Sequence, residues 1–124
     1  MANIDQLAQN FVNYYYQTFD SDRSQLHSLY REGSMLTFEG QQHGGANSIT
    51  QKLVELGFQK VVHKISTIDA QPSTPGSANI IVFVSGQLLI DEQEHPQMFS
   101  QTFQLIAEGG SYYVLNDIFR LIYA

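Results

Sequence analysis

An acid beside an aromatic ring closes the run Met35-Leu36-Thr37-Phe38-Glu39-Gly40-Gln41-Gln42, which reads as a short strand ending at Glu39. A carboxylate held there against Phe38 has two chemical uses: a general acid with an aromatic wall, or a docking point for a basic partner. Asp117, between Asn116 and Ile118, is a second candidate acid. Buried, it would titrate high, although pairing with Arg120 or a backbone donor is its plainer role. The four histidines, His27, His43, His63 and His95, share no metal-ligand spacing. His63 is the best general-base candidate, against the commoner role of a strand histidine as a structural hydrogen-bonding residue. Asp91-Glu92-Gln93-Glu94 is either a solvated turn or a set of carboxylates for a partner's Lys or Arg. Its spacing lacks the alternating ligands and central glycine of a calcium loop. Phosphate-loop, dinucleotide, nucleophile-elbow and zinc-protease motifs are missing, so no cofactor or metal is expected.

The elements that must position these groups follow from periodicity. Asn3 caps a first helix, with Gln6 completing an approximate capping box. Ile4, Leu7, Phe11, Tyr14 or Tyr15, and Phe19 then line one face at helical spacing. Of the run Tyr14-Tyr15-Tyr16, at least one ring is core and one near solvent. Asp20-Ser21-Asp22 interrupts that helix and caps a short second one, with Leu26, Leu29 and Tyr30 inward. Asn47 is the expected cap of a third helix carrying Ile49, Leu53 and Leu56, and Gly57 its stop. Val61–Ala70, Asn79–Asp91, Met98–Ala107 and Tyr112–Tyr123 read as strands separated by turn chemistry, which makes antiparallel neighbours and an α+β fold.

Alternation inside these strands is incomplete. In the segment from Ile80 to Ile90 the even positions are apolar apart from Gly86, yet Ile81, Phe83 and Leu89 among the odd ones are apolar too. The last strand sets Val114, Ile118 and Ile122 on one side and Tyr113, Leu115, Phe119 and Leu121 on the other. A sheet with one wet face alternates more cleanly. The helices cover one face; the other is expected to be covered by a second copy, a homodimer, or else the sheet curls round its own pocket.

Composition narrows the classes. The 124 residues suit one domain, 1–124, with 43% hydrophobic residues, eight Phe and seven Tyr. Six Lys or Arg against twelve acids give a net charge of -6, which argues against a nucleic-acid partner. Cysteine is absent, no run is long enough for membrane insertion, and the N-terminus lacks the pattern of a signal peptide. An intracellular, soluble protein is the expectation.

Several blocks, in order, resemble the nuclear transport factor 2 family along essentially the whole chain. They include Tyr14-Tyr15, Phe19-Asp20-x-Asp22-Arg23, Leu26 through Tyr30, Leu36-Thr37-Phe38-Glu39, Lys52-Leu53, Phe58-Gln59-Lys60, Asp69-x-Gln71-Pro72, Gly86-Gln87-Leu88 and Asn116-Asp117-x-Phe119-Arg120. The wording around Leu88–Glu92 and Ser111–Val114 is similar to fungal members. The resemblance implies a cone of three helices packed on a strongly bent antiparallel sheet, a cystatin-like roll, dimerising through the sheet. It also implies a non-enzymatic carrier that binds the GTPase Ran in its GDP form and Phe-x-Phe-Gly nucleoporin repeats, in cytoplasm and nucleus and concentrated at nuclear pores. By matching position, Glu39 and Asp91 are acids rimming a hollow lined by Phe38, Leu56, Val61, Ile118 and Phe119, with Lys60 nearby and Glu92 and Glu94 in the rim turn. Ile4 stands where a nucleoporin-binding aromatic is found in animal members, many of which also have Trp in place of Phe38. Ketosteroid isomerase-like enzymes share the cone, as do interaction domains of messenger-RNA export and stress-granule proteins, so a small-molecule enzyme is the alternative reading.

Overall fold

The computed structural model describes residues 3–57, 60–91 and 95–122. Helix α1 (Ile4–Ser21) begins where the Asn3 side chain accepts the amides of Asp5 at 3.0 Å and Gln6 at 3.3 Å, donors with no partner inside the helix. Ala8, Val12, Tyr15, Tyr16 and Phe19 form its buried stripe, while Tyr14 is exposed. Asp22 ends α1 and accepts the Ser24 amide at 3.1 Å, capping a 3₁₀ helix over Arg23–Leu29.

Strand β1 (Tyr30–Phe38) is shorter at its far end than the sequence suggests. Glu39 turns the chain with φ 52, so Gln41–Gly44 folds back as β2 beside β1. Helix α2 (Ala46–Val54) then starts from Gly45, whose φ of 86 suits glycine. The expected Asn47 cap is therefore not made: the helix begins earlier, and Asn47 Oδ1 instead meets His27 Nε2 at 2.7 Å. Gly57, at φ 75, lies just past the helix, as a stop should.

The second half is a meander of β3 (Val61–Pro72), β4 (Ile80–Ile90), β5 (Gln97–Glu108) and β6 (Ser111–Ile122). The sheet order is β2-β1-β6-β5-β4-β3. All junctions are antiparallel except β1–β6, which is parallel, so the antiparallel expectation holds for the meander and the whole sheet is mixed. β1 and β6 are far apart in sequence, and no hairpin forces them to oppose.

Register shifts interrupt β1 between Tyr30 and Met35, β3 at Ser66 and β6 at Leu115, and such extra residues bend a sheet. The shift in β6 corrects the expected alternation. Val114 faces the core together with Asp117 and Phe119, and Ile118 faces away. On the inner face Val82, Val84, Leu88, Phe99, Phe103, Leu105 and Val114 join the α1 stripe in one core. The outer face carries Phe83, Met98, Ile118 and Ile122, each at least 41% exposed.

Candidate docking site at one end of the sheet

β1, β4 and β6 run in the same direction, so Glu39 and Asp91, which follow β1 and β4, lie at the same end of the sheet. Among the described residues they are the two non-glycines with positive φ, 52 and 48. Each such residue costs roughly 1–2 kcal/mol relative to ordinary backbone, and conformations of this kind gather at functional sites. Both turns are fastened from two sides. The Glu39 amide donates to the Phe119 carbonyl at 3.1 Å, and a Glu39 carboxylate oxygen accepts the Leu121 amide. The Asp91 amide donates to the Lys60 carbonyl at 2.8 Å, and Asp91 Oδ1 accepts the Lys60 amide at 2.7 Å. Both carboxylates are thereby held in fixed positions.

Between these acids lies an apolar hollow. Phe19, Leu36, Phe38, Leu53, Leu56, Leu88 and Phe119 line it, with His63 and Gln101 as its polar groups. Phe38 stacks on Phe119 with centroids 4.8 Å apart and planes 5° apart, and Phe119 stacks on Phe99 at 5.6 Å. Lys52 Nζ stands 5.4 Å from the centroid of Phe38, which leaves that ring at the lip with a cation beside it. The free space inside holds about one water molecule.

The expected residues divide accordingly. Phe38, Leu56 and Phe119 share the hollow, and Glu39 and Asp91 flank it. Val61 is buried in the core and faces the neighbouring cleft with Phe19 and Val54. Ile118 does not line the hollow: strand alternation puts it on the outer face, half exposed, opposite Phe119. Lys60 is exposed beside Asp91; Glu92 and Glu94 lie outside the described residues. Ile4 packs on the core, whereas a separate groove by α1 is lined by Leu7, Phe11, Tyr14, Leu29 and Tyr112.

Two polar constellations were not legible in the spacing. Asp117 is buried and accepts from Tyr30 Oη at 2.7 Å, Gln101 Nε2 at 2.8 Å and Tyr15 Oη at 3.4 Å. Tyr16 Oη donates to Gln101 Oε1 at 2.6 Å, which extends the network. Asp117 does not pair with Arg120, because the two point to opposite faces of β6. Burial raises the Asp117 carboxyl from 3.8 to about 6, against the opposing hydrogen bonds from Gln101, Tyr30 and Tyr15. Burial also lifts the Tyr15, Tyr16 and Tyr30 hydroxyls well above 10. The second constellation joins α1 to β3: Asp20 accepts the His63 amide at 3.0 Å and meets His63 Nδ1 at 2.6 Å. Tyr16, Phe19 and Phe99 surround the His63 ring. The pair thus ties a helix end to a strand start, the structural role for His63.

A cone of this kind, three helices against a bent, open, six-stranded mixed sheet with a hollow at one end, is the nuclear transport factor 2-like fold. The chain belongs to the nuclear transport factor 2 family: the model of the nuclear transport factor 2 domain matches residues 7–121. It is 59% identical to nuclear transport factor 2 of Saccharomyces cerevisiae over 118 residues, 95% of this chain and 94% of that one. With the protein of the same name from Schizosaccharomyces pombe it shares 58% identity over 123 residues, 99% of both chains. The solved structure of nuclear transport factor 2 from Cryptosporidium parvum superposes with a TM-score of 0.88 at 41% identity, covering 98% of this chain and all of that one. These relatives are named as a transport factor, not as an enzyme.

Proposed function

We propose that this protein is a nucleocytoplasmic carrier that binds Ran in its GDP form, moves between cytoplasm and nucleus, and engages Phe-x-Phe-Gly repeats at nuclear pores. The observation that carries the reading is the pair of strained, prefixed acids, Glu39 and Asp91, on either side of an aromatic-lined hollow. A basic partner that also offers an aromatic side chain would meet charge at the rim and a ring stack inside. The hollow takes about one water as it stands, so a ring enters by displacing Phe38 or Leu56, the half-buried residues at its mouth. Partner binding that depends on ordered switch loops follows nucleotide state. The groove beside Phe11 and Tyr14 is the apolar surface for short, fast-releasing repeat contacts. The outer face with Phe83, Met98, Ile118 and Ile122 joins a second copy.

An isomerase-like enzyme needs a deep pocket with converging polar groups. Here Asp117 and Tyr15 are each 1% exposed and bonded to each other's network, and the cavity beside them is filled by side chains. The decisive experiment is a pair of calorimetric titrations with Ran loaded with GDP and with GTP. Binding restricted to the GDP form is the expected result; equal binding to both forms would sink the carrier reading.

A further inference from the structure

β3 is a 12-residue edge strand, and its outer edge is open over much of its length. The direction of its backbone groups follows from two bonds. The His63 amide goes to Asp20 and so points away from β4, while Lys60 exchanges bonds with Asp91 and points toward it. Alternation in an antiparallel ladder then turns Ile65 outward. Beyond the extra residue at Ser66, the register Ile68↔Val84 and Ala70↔Val82 turns those two outward as well. Among the described residues, no hydrogen bond reaches the amides of Ile65, Ile68 or Ala70 from beyond the sheet. Long edges of this sort are usually blunted or covered, because they template the pairing of another strand.

Beside this edge two clefts, of about 550 and 440 Å³, run between α1 and β3 and share Asn13 and Ile65. Gln9, Asn13 and Gln17 follow one another along α1 at helical spacing of four, giving a row of amides along the cleft wall. Asp5 stands at one end on the α1 side, Asp69 borders the same end with its side chain on the outer face opposite Phe83, and Asp20, bonded to His63, closes the other. Lys and Arg are missing from both linings. We propose that the β3 edge and this cleft form a docking surface for an extended, basic peptide segment of a partner protein. The segment adds as a further strand on Ile65–Ala70, and its alternating side chains set one Lys or Arg toward Asp5 on the α1 side and the next toward Asp69 on the outer face. Backbone pairing gives the surface its geometry, and the carboxylates with the amide row select positive and polar side chains over apolar ones. The hollow between Glu39 and Asp91 meets this surface only at His63, which lines both.

The test uses the whole protein, isotope-labelled, and three short synthetic peptides: alternating Lys and Thr, its Glu-for-Lys counterpart, and the Lys peptide interrupted by Pro. Amide shifts and hydrogen-exchange protection at Ile65, Ile68 and Ala70 are expected with the first peptide alone. Ala70→Pro removes one outward donor and leaves the β4 ladder intact, since that donor plays no part in it; binding should be lost. Asp5→Lys with Asp69→Lys should weaken it by about tenfold at low salt, as two exposed ion pairs would. Equal binding of the Lys and the Pro-interrupted peptides would reduce the effect to charge alone and overturn the proposal. So would shifts confined to other surfaces, no binding at all, or an edge occupied by a second copy, seen as a change in sedimentation of Ala70→Pro.

Discussion

Replacing Asp117 by Asn tests whether the buried network carries a charge that the fold tolerates at a cost. The carboxyl is 1% exposed, so solvent does not screen it, and burial raises it from 3.8 to about 6. Its folded value exceeds its unfolded one, so the folded state holds the proton more tightly. The stability from this group is complete below 3.8 and is lost as pH rises toward 6, levelling above it. Each pH unit across that gap is worth about 1.4 kcal/mol, so the whole loss is about 3 kcal/mol. Asn keeps the shape and an acceptor for Gln101, and its amide can face the Tyr30 hydroxyl, whose oxygen accepts. Urea unfolding of both proteins from pH 4 to pH 8 gives the difference curve. Asp117→Asn should gain on the parent by up to about 3 kcal/mol between pH 4 and pH 6, then hold that advantage. A flat difference, or one that falls with pH, would show that the Tyr15, Tyr30 and Gln101 hydrogen bonds outweigh desolvation.

At the rim, Glu39→Lys and Asp91→Lys should each abolish Ran-GDP binding, a loss of roughly 2–5 kcal/mol, with circular dichroism unchanged; unchanged affinity in calorimetry would remove that residue from the site. Glu39→Gly relieves the strain at φ 52 and loses the bond to the Leu121 amide, effects of about 1 kcal/mol each. Its stability should therefore stay within about 1 kcal/mol of the parent while Ran-GDP affinity falls, and a large loss of stability would contradict the strain argument. On the outer face, Phe83→Glu with Ile118→Glu should convert a dimer to a monomer in sedimentation velocity. A monomeric parent, or a dimer untouched by both charges, would defeat the sheet-to-sheet arrangement.

Periodicity made most of the fold legible. The capping oxygens of Asn3 and Asp22, the buried even positions of β4 and the boundaries of β3 to β6 within a residue or two all follow from local chemistry, whereas β1 starts at Tyr30, well before Met35, and β2 was not legible. Errors arose where a single residue changed the local count. Gly45 takes the cap that Asn47 offers, because a positive φ before the helix fixes its start earlier. The extra residue at Leu115 carries the inward face of β6 from Val114 to Asp117 and Phe119, leaving Ile118 outside. Asp20 with His63, and Asp117 with Tyr15, Tyr30 and Gln101, join positions 16 to 102 residues apart, and no local pattern encodes such pairings.

The rim acids show what the structure adds to the sequence. An acid after a strand reads as a turn residue, and a turn at positive φ would ordinarily be given to glycine or asparagine. Glu39 and Asp91 hold that conformation without the freedom of glycine, and each uses its carboxylate to bind an amide of a neighbouring segment of the same chain. The hydrogen bond offsets part of the strain but does not require an acid, since asparagine would accept as well and fit the backbone better. The fold alone therefore gives no reason for negative charge at both corners. The proposed function supplies a reason: at one end of the sheet, with an aromatic hollow between them, two charges held by tolerated strain would be ready for a cationic partner and leave little ordering to be done when it binds.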